Sequence, residues 1–133
     1  MENKYIYINF THPKSLKVIR MKVYISIPIS GDDVGEVQQH ADIVKGHLSR
    51  KGYTAISPFE IYAGKQPTYN EHIIANLKKM LECDAVYFCN GWCESRGCRI
   101  EHKVAEEFGM MFMYETVSNQ ESNYYFDRWM VLV

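Results

Sequence analysis

A glutamate on a predicted helix, Glu101, is the residue of this sequence best suited to chemistry. The helix is predicted over residues 96–108, with Gly109 as its C-terminal stop. Helix periodicity places Glu101 on the apolar face, in line with Gly97, Cys98, Val104, Ala105 and Phe108. A carboxyl group on such a face either lines a cleft, where it is a candidate functional group, or lies at the edge of the stripe and reaches water.

The start of the same helix has the composition of an anion site. Ser95 is the predicted N-cap, Gly97 allows close approach, and Arg96 adds a positive charge. The first turn of a helix also presents free N–H groups and a positive dipole end, which favour phosphate or carboxylate. The alternative is an ordinary serine cap with nothing bound.

Two further residues are candidates near this helix. Asn76 has an inward position on the preceding predicted helix, either as a ligand contact or as a satisfied core amide. Trp92 precedes the predicted anion site, where its ring either stacks on a base or sugar or plugs the edge of the sheet.

The elements that must position these residues alternate along the chain. Four apolar runs predict strands, and they are separated by three segments with helical periodicity. The fold class is therefore predicted as α/β, with three layers and a mainly parallel sheet of four or five strands. In such a sheet, ligands bind beyond the carboxyl ends of the strands. The predicted strands are 21–27, 53–57, 84–89 and 110–115.

Local patterns fix the predicted helix ends. The first helix follows Asp32 or Asp33 as its cap and stops at Gly52. The second opens with Thr68 and Glu71 at capping-box spacing. It carries the apolar residues Ile73, Ile74, Leu77, Met80 and Leu81.

Length and charge exclude several function classes. The chain has 133 residues and a formal net charge of −1, which predicts one domain and no nucleic-acid polymer as partner. No apolar run approaches 18 residues and the start does not resemble a signal peptide, so we expect no membrane partner. With no export signal, the four cysteines are predicted to be reduced thiols in the cytoplasm. Their spacing is not that of a zinc site, and the pair Cys98 and His102 lacks partner ligands, so no metal is expected. No cofactor motif occurs, so no cofactor is expected.

The two ends of the chain differ from the middle. Residues 1–20 are predicted to be an N-terminal extension, either an extra strand or disordered, before a single domain over 21–133. The apolar tail at 124–133 should pack on something, as a fifth strand or against a second subunit.

Three segments resemble the nucleoside 2-deoxyribosyltransferase-like superfamily, and most of all an uncharacterised bacterial and phage branch of it. They are YISIPISG at 24–31, GYTAISP at 52–58 and ECDAVYFCNGWCESRGCRIEHKVAEEFG at 82–109. The resemblance covers residues 21–115, and the order of Trp92, Ser95, Gly97 and Glu101 makes the last segment its most specific part.

The resemblance implies a flavodoxin-like or Rossmann-like fold and an activity. Superfamily enzymes cleave the N-glycosidic bond of deoxynucleosides or their 5′-monophosphates, and Glu101 falls at the place of their nucleophile. A serine six residues earlier, here Ser95, is typical of relatives that hold a 5′-phosphate. The implied partner is a small nucleoside or nucleotide, and relatives are homodimers or higher homo-oligomers. The first loop adds four substrate-binding candidates, which are Tyr24, Pro28, Ser30 and Gly31.

Two positions depart from the family pattern. Ile27 stands where relatives carry glycine, and Asn76 stands where active relatives carry aspartate. Asparagine can orient a sugar by hydrogen bonds but cannot exchange a proton near neutral pH. Three readings follow: an enzyme of this type, a nucleotide-binding module that has lost catalysis, and an assembly protein that retains only the fold.

Overall fold

Four parallel strands form the central sheet of the protein. The structure is a computed structural model that describes residues 5–8, 16–29, 33–61 and 67–115. The central strands are β3 (Lys22–Ser26), β4 (Thr54–Ile56), β5 (Ala85–Phe88) and β6 (Met111–Tyr114), after a separate antiparallel pair, β1 (Tyr5–Ile8) and β2 (Leu16–Ile19).

The order of the central strands creates a ligand-binding position. The order is β4-β3-β5-β6, so the chain moves outward from β3 to β4 on one side and from β5 to β6 on the other. Tyr24, in the middle of β3, pairs with Ile56 and with Val86. The switch in direction lies between β3 and β5, and in open parallel sheets the ligand crevice forms at the carboxyl ends of such a pair.

Three helices cover the two faces of this sheet. They are α1 (Val34–Arg50), α2 (Tyr69–Leu81) and α3 (Arg96–Glu107). Asp33 caps α1, a Thr68–Glu71 capping box opens α2, and Ser95 caps α3. These helix starts confirm the predicted ones.

The core has two halves, one on each face of the sheet. On the first face, α1 buries Val37, Ala41, Val44 and Leu48 against side chains such as Val23, Ile25, Tyr87 and Met113. On the second face, α2 and α3 bury Met80 and Ala105 against Tyr24, Val86, Phe88 and Phe112. The predicted three-layer α/β fold is therefore confirmed.

Three of the apolar positions given for the second and third helices are exposed, and Leu81, at the end of α2, is 39% exposed. Ile74 is 67% exposed, because the buried stripe of α2 passes through Asn76 and Met80 instead. Phe108 is 69% exposed, because α3 ends one residue before it and Gly109 turns the chain at a φ of 69°. The apolar spacing of the sequence continues to Phe108, whereas the helix itself ends at Glu107.

The predicted ends of the domain are not decided by the fold. The two-stranded sheet of β1 and β2 lies within residues 1–20, and the domain boundary after residue 20 stays a prediction. The apolar tail at 124–133 lies outside the described residues. Within the described part of the chain, no helix has both the length and the apolar character needed to cross a bilayer.

Candidate active site

The side chain of Glu101 is buried between α3 and the sheet. It is 5% exposed, on the same side of α3 as Cys98 and Ala105. The spacing of these three residues is that of one helix face, so the position follows directly from the sequence periodicity. A carboxyl group at this depth has lost most of its contact with water.

Two residues of β3 lie next to the Glu101 carboxyl group on the sheet side of α3. Tyr24 and Ser26 are two apart on β3, so both side chains leave the sheet on the same face. The Ser26 hydroxyl donates a hydrogen bond of 3.0 Å to Glu101 Oε1. The Tyr24 hydroxyl lies near the carboxyl group without reaching hydrogen-bond geometry.

Burial dominates the electrostatics of this carboxyl group. Desolvation raises the pKa of Glu101 from 4.5 to about 7, although the nearby hydroxyls of Tyr24 and Ser26 act to lower it. Burial and the Glu101 charge in turn raise the pKa of Tyr24 well above its usual value. At neutral pH Glu101 is therefore divided between its acid and carboxylate forms, a property common at functional sites.

Three buried polar atoms around Glu101 have unused hydrogen-bonding capacity. Glu101 Oε2, Asn76 Oδ1 and the Tyr24 hydroxyl find no hydrogen-bond partner within the described part of the chain. Most buried polar atoms in proteins are paired, and exceptions often belong to functional sites. Leaving such atoms unpaired costs free energy, which a polar ligand would recover.

A cleft of about 180 Å³ opens beside these atoms. Asn76 and Glu101 are polar groups in its wall, and Ser95 and Gly97 border it at the start of α3. Most of the remaining wall is apolar, as in most small-molecule sites. The other lining residues are Ile27, Ile29, Pro58, Tyr69, His72, Ile73 and Cys98.

The predicted anion site lies at the edge of this cleft. The Ser95 side chain accepts a hydrogen bond of 3.3 Å from the Cys98 amide, as an N-cap does. Arg96 is exposed, and its guanidinium carbon lies 5.9 Å from the ring centroid of Tyr69. A Cβ on Gly97 would be 3.5 Å from Ile73, an ordinary contact, so the packed protein itself does not require glycine there.

Two predicted substrate-binding residues lie elsewhere. Trp92 stacks on His102 with the ring centroids 4.2 Å apart and the planes 9° from parallel, and it is absent from the described wall of the cleft. Of the two alternatives for Trp92, the position is that of a plug over the sheet edge. Pro28 borders a different cleft. Ser30 and Gly31 lie outside the described residues.

Four residues with polar side-chain atoms at the site are not among the predicted site residues. Ser26 could have been found, because strand alternation from Tyr24 places it on the same face. Cys98 was assigned to the helix face but not to the site, and burial raises the pKa of its thiol. Tyr69 and His72, in the first turn of α2, line the cleft because of how α2 packs beside α3.

Comparison with known proteins identifies the family and the fold. A family model described as a domain of unknown function (DUF4406) matches residues 21–114. No curated protein matches the chain.

Three solved structures share the fold. A 2-deoxyribosyltransferase from Bacillus psychrosaccharolyticus matches with a TM-score of 0.54 and 18% identity over 77% of each chain. A conserved protein from Enterococcus faecalis V583 matches with a TM-score of 0.60 and 19% identity, over 78% of this chain and 69% of that one. The Leishmania mexicana 2-desoxiribosyltransferase matches with a TM-score of 0.53 and 19% identity, over 71% of this chain and 63% of that one. The chain belongs to the DUF4406 family and has the fold of the nucleoside 2-deoxyribosyltransferase-like superfamily.

Proposed function

We propose that this protein cleaves the N-glycosidic bond of a deoxynucleoside or its 5′-monophosphate, or transfers the deoxyribosyl group to a second base. The observation that carries the proposal is the Glu101 carboxyl group, buried in the wall of an apolar cleft with Oε2 unpaired among the described residues. The fold shared with two 2-deoxyribosyltransferases supports the same substrate class.

The proposed reaction uses Glu101 as the nucleophile. A carboxylate oxygen of Glu101 attacks the anomeric carbon, the bond from that carbon to the base nitrogen breaks, and its electron pair leaves with the base. Water, or a second base, then attacks the same carbon and frees the carboxylate. The hydrogen bond from Ser26 holds the side chain in one orientation for the attack.

The phosphate of a 5′-monophosphate would be held at the start of α3. Ser95 lines the cleft there, with the free amides of the first turn beside it. Arg96 lies at the same helix end and adds a positive charge. These groups favour a nucleotide over a neutral nucleoside.

Asn76 supports a second candidate function, a nucleotide-binding module without turnover. Its amide lines the cleft with Oδ1 unpaired among the described residues, so it suits a sugar hydroxyl as hydrogen-bond partner. It cannot supply the proton that the departing base needs, and a missing general acid costs roughly 10²- to 10⁴-fold in rate.

The decisive experiment is incubation of the protein with each deoxynucleoside and deoxynucleoside 5′-monophosphate, followed by chromatography for free base. We expect base release from a monophosphate, and Glu101→Gln should lower it by roughly 10³-fold or more because the nucleophile is gone. Glu94→Gln, an exposed carboxylate just before α3, is the matched control and should keep the parent rate.

Other outcomes separate the candidates. Calorimetric binding of a nucleotide without base release would favour the binding module. Base release that is unchanged by Glu101→Gln would contradict the proposed nucleophile. No binding of any nucleotide would leave the assembly role.

The proposal extends to the setting of the enzyme. Cys83, Cys89, Cys93 and Cys98 are free thiols, which supports a reducing compartment such as the cytoplasm. We also propose a homodimer or higher homo-oligomer, as the resemblance implies. Size-exclusion chromatography of a chain truncated after Glu115 tests whether the apolar tail contributes to assembly.

A further inference from the structure

A second cluster of reactive side chains lies at the same edge of the sheet, on the face covered by α1. His40 comes from α1, Cys89 directly follows β5, and Glu115 directly follows β6. One ligand atom from each residue, an imidazole nitrogen, the thiol sulfur and a carboxylate oxygen, lies within 4.8 Å of the other two. Three separate parts of the chain therefore bring a nitrogen, a sulfur and an oxygen ligand to one point.

The sheet holds two of these three residues in place. The backbone amide of Cys89 donates to the Ser26 carbonyl at 2.9 Å, and that of Glu115 donates to the Phe88 carbonyl at 2.9 Å. The Asn90 amide donates to Glu115 Oε1 at 3.0 Å. Hydrogen bonds of this kind orient a carboxylate ligand before an ion arrives.

The third residue, His40, has already approached the carboxylate. Its Nε2 lies 3.0 Å from Glu115 Oε2 and 3.2 Å from Oε1. Ligands bound at the usual zinc distances in a tetrahedral site are roughly 3.4 to 3.7 Å apart. An ion between these atoms therefore needs adjustments of the order of an ångström, which the half-exposed His40 side chain can provide.

A second cleft of about 300 Å³ borders the cluster at His40. His40 and Asn90 line it, together with Ile27, Pro28 and the carboxylate of Glu36. A fourth ligand, either water or a small molecule, has room on this side. Three protein ligands with one open position are the usual arrangement of a reactive zinc site.

We propose that His40 Nε2, Cys89 Sγ and the Glu115 carboxylate bind a divalent transition-metal cation of the Zn²⁺ class, with the fourth position open to this cleft. The mixed nitrogen, sulfur and oxygen set favours zinc or cobalt over magnesium or calcium, which prefer oxygen ligands alone. On binding, the thiol and any imidazolium release their protons to solvent, and two Sγ electrons form the metal–sulfur bond. The site is independent of the proposed glycosidic chemistry.

The test is titration of the purified, chelator-treated protein with Co²⁺, followed by optical spectroscopy. We expect one equivalent to produce a cobalt–thiolate charge-transfer band and the visible bands of four-coordinate cobalt, and Zn²⁺ should displace both. His40→Gln and Cys89→Ser should each weaken cobalt binding at least tenfold, because each removes one of three protein ligands. Cys93→Ser removes an exposed thiol outside the cluster and should bind as the parent does.

Thermal melts with and without Zn²⁺ provide the second readout. The ion should raise the melting temperature of the parent and of Cys93→Ser, and should raise that of His40→Gln, whose change lies on the helix surface, by clearly less. Absence of a thiolate band in the parent, or a band that persists in Cys89→Ser, would overturn the proposal. Glu101→Gln should leave the band intact, so the two proposals can fail separately.

Discussion

Glu101 and Glu115 are two shielded carboxylates at one edge of the sheet, and their surroundings shift their pKa values in opposite directions. Burial raises the pKa of Glu101 to about 7, and the hydroxyls nearby do not reverse it. Desolvation also acts to raise the pKa of Glu115, but the hydrogen bonds from His40 and the Asn90 amide outweigh it, so that pKa falls below the usual range.

The difference shows what pairing does to a buried carboxylate. Glu115 has an imidazole partner and a backbone donor, so its pKa is lowered, and it ties α1 to the end of β6. Glu101 accepts one hydrogen bond, from Ser26, and has the Tyr24 hydroxyl nearby, while Oε2 is unpaired among the described residues. A paired carboxylate suits structure or ion binding, whereas an unpaired one in a cleft is available to react with a substrate.

The largest effect expected from this contrast is on stability as a function of pH. The folded pKa of Glu101 is raised above the unfolded value, so its contribution is intact below pH 4.5 and is lost as the pH rises through about 7. The loss is about 3 kcal/mol. Denaturant unfolding of the parent and of Glu101→Gln should therefore diverge by about this amount between pH 4.5 and 8. Parallel pH profiles of the two proteins would show that Glu101 ionises freely when folded.

The second prediction concerns the proton donor that an aspartate at position 76 would supply. Glu115 faces an imidazole that can carry a proton, whereas the cleft of Glu101 presents the Asn76 amide. Asn76→Asp should raise the rate of base release by roughly 10- to 100-fold, because an acid replaces an amide beside the departing base.

Asn76→Leu is the control for that change, since it keeps the branching of the aspartate side chain but can neither donate nor accept a proton. Steady-state kinetics should show a gain in kcat for Asn76→Asp alone. Equal rates in the two variants would mean that another group protonates the base.

A third change, Ser26→Ala, should widen the difference between the pKa values of Glu101 and Glu115. Ser26→Ala removes the hydroxyl that donates to Oε1, so the carboxylate form loses a stabilising partner. The pKa of Glu101 should rise by roughly one unit, since a hydrogen bond to a charged group is worth about 1.5 kcal/mol or more. Carbon-detected NMR titration of the Glu101 carboxyl group measures it, with the pKa of Glu115 as an internal reference. An unchanged midpoint would show that this hydrogen bond does not govern the ionisation.

The smallest effect is expected at Gly97. A Cβ there meets Ile73 at 3.5 Å, so Gly97→Ala should raise the free energy of unfolding by roughly 0.5 to 1 kcal/mol through helix propensity. Base release should fall in the same variant, because the new methyl group occupies part of the cleft. A variant that is both more stable and fully active would show that substrate does not approach the backbone at this point.

Local patterns predicted much of the fold and part of the site. The apolar spacing around Glu101 placed it on a buried face, and the capping residues Asp33, Thr68 and Ser95 fixed the helix starts. Each of these depends on residues within two helical turns. The burial of Glu101 can therefore be predicted from the sequence near it.

Long-range packing explains what the sequence did not predict. The cluster of His40, Cys89 and Glu115 exists because the strand order sets β5 beside β6 under α1, and no spacing rule connects these residues. Trp92 had two predicted roles, substrate contact or a plug over the sheet edge, and its ring stacks on that of His102, ten residues later on α3. Such choices between neighbouring surfaces are decided by tertiary packing.

Ile27 borders both clefts, with the Glu101 cavity on one side and the His40 cavity on the other. Its side chain is almost fully enclosed, so a larger side chain at this position would take space from the clefts it borders. A substitution at this single position is therefore expected to change ligand affinity in both clefts, although they lie on opposite faces of the sheet.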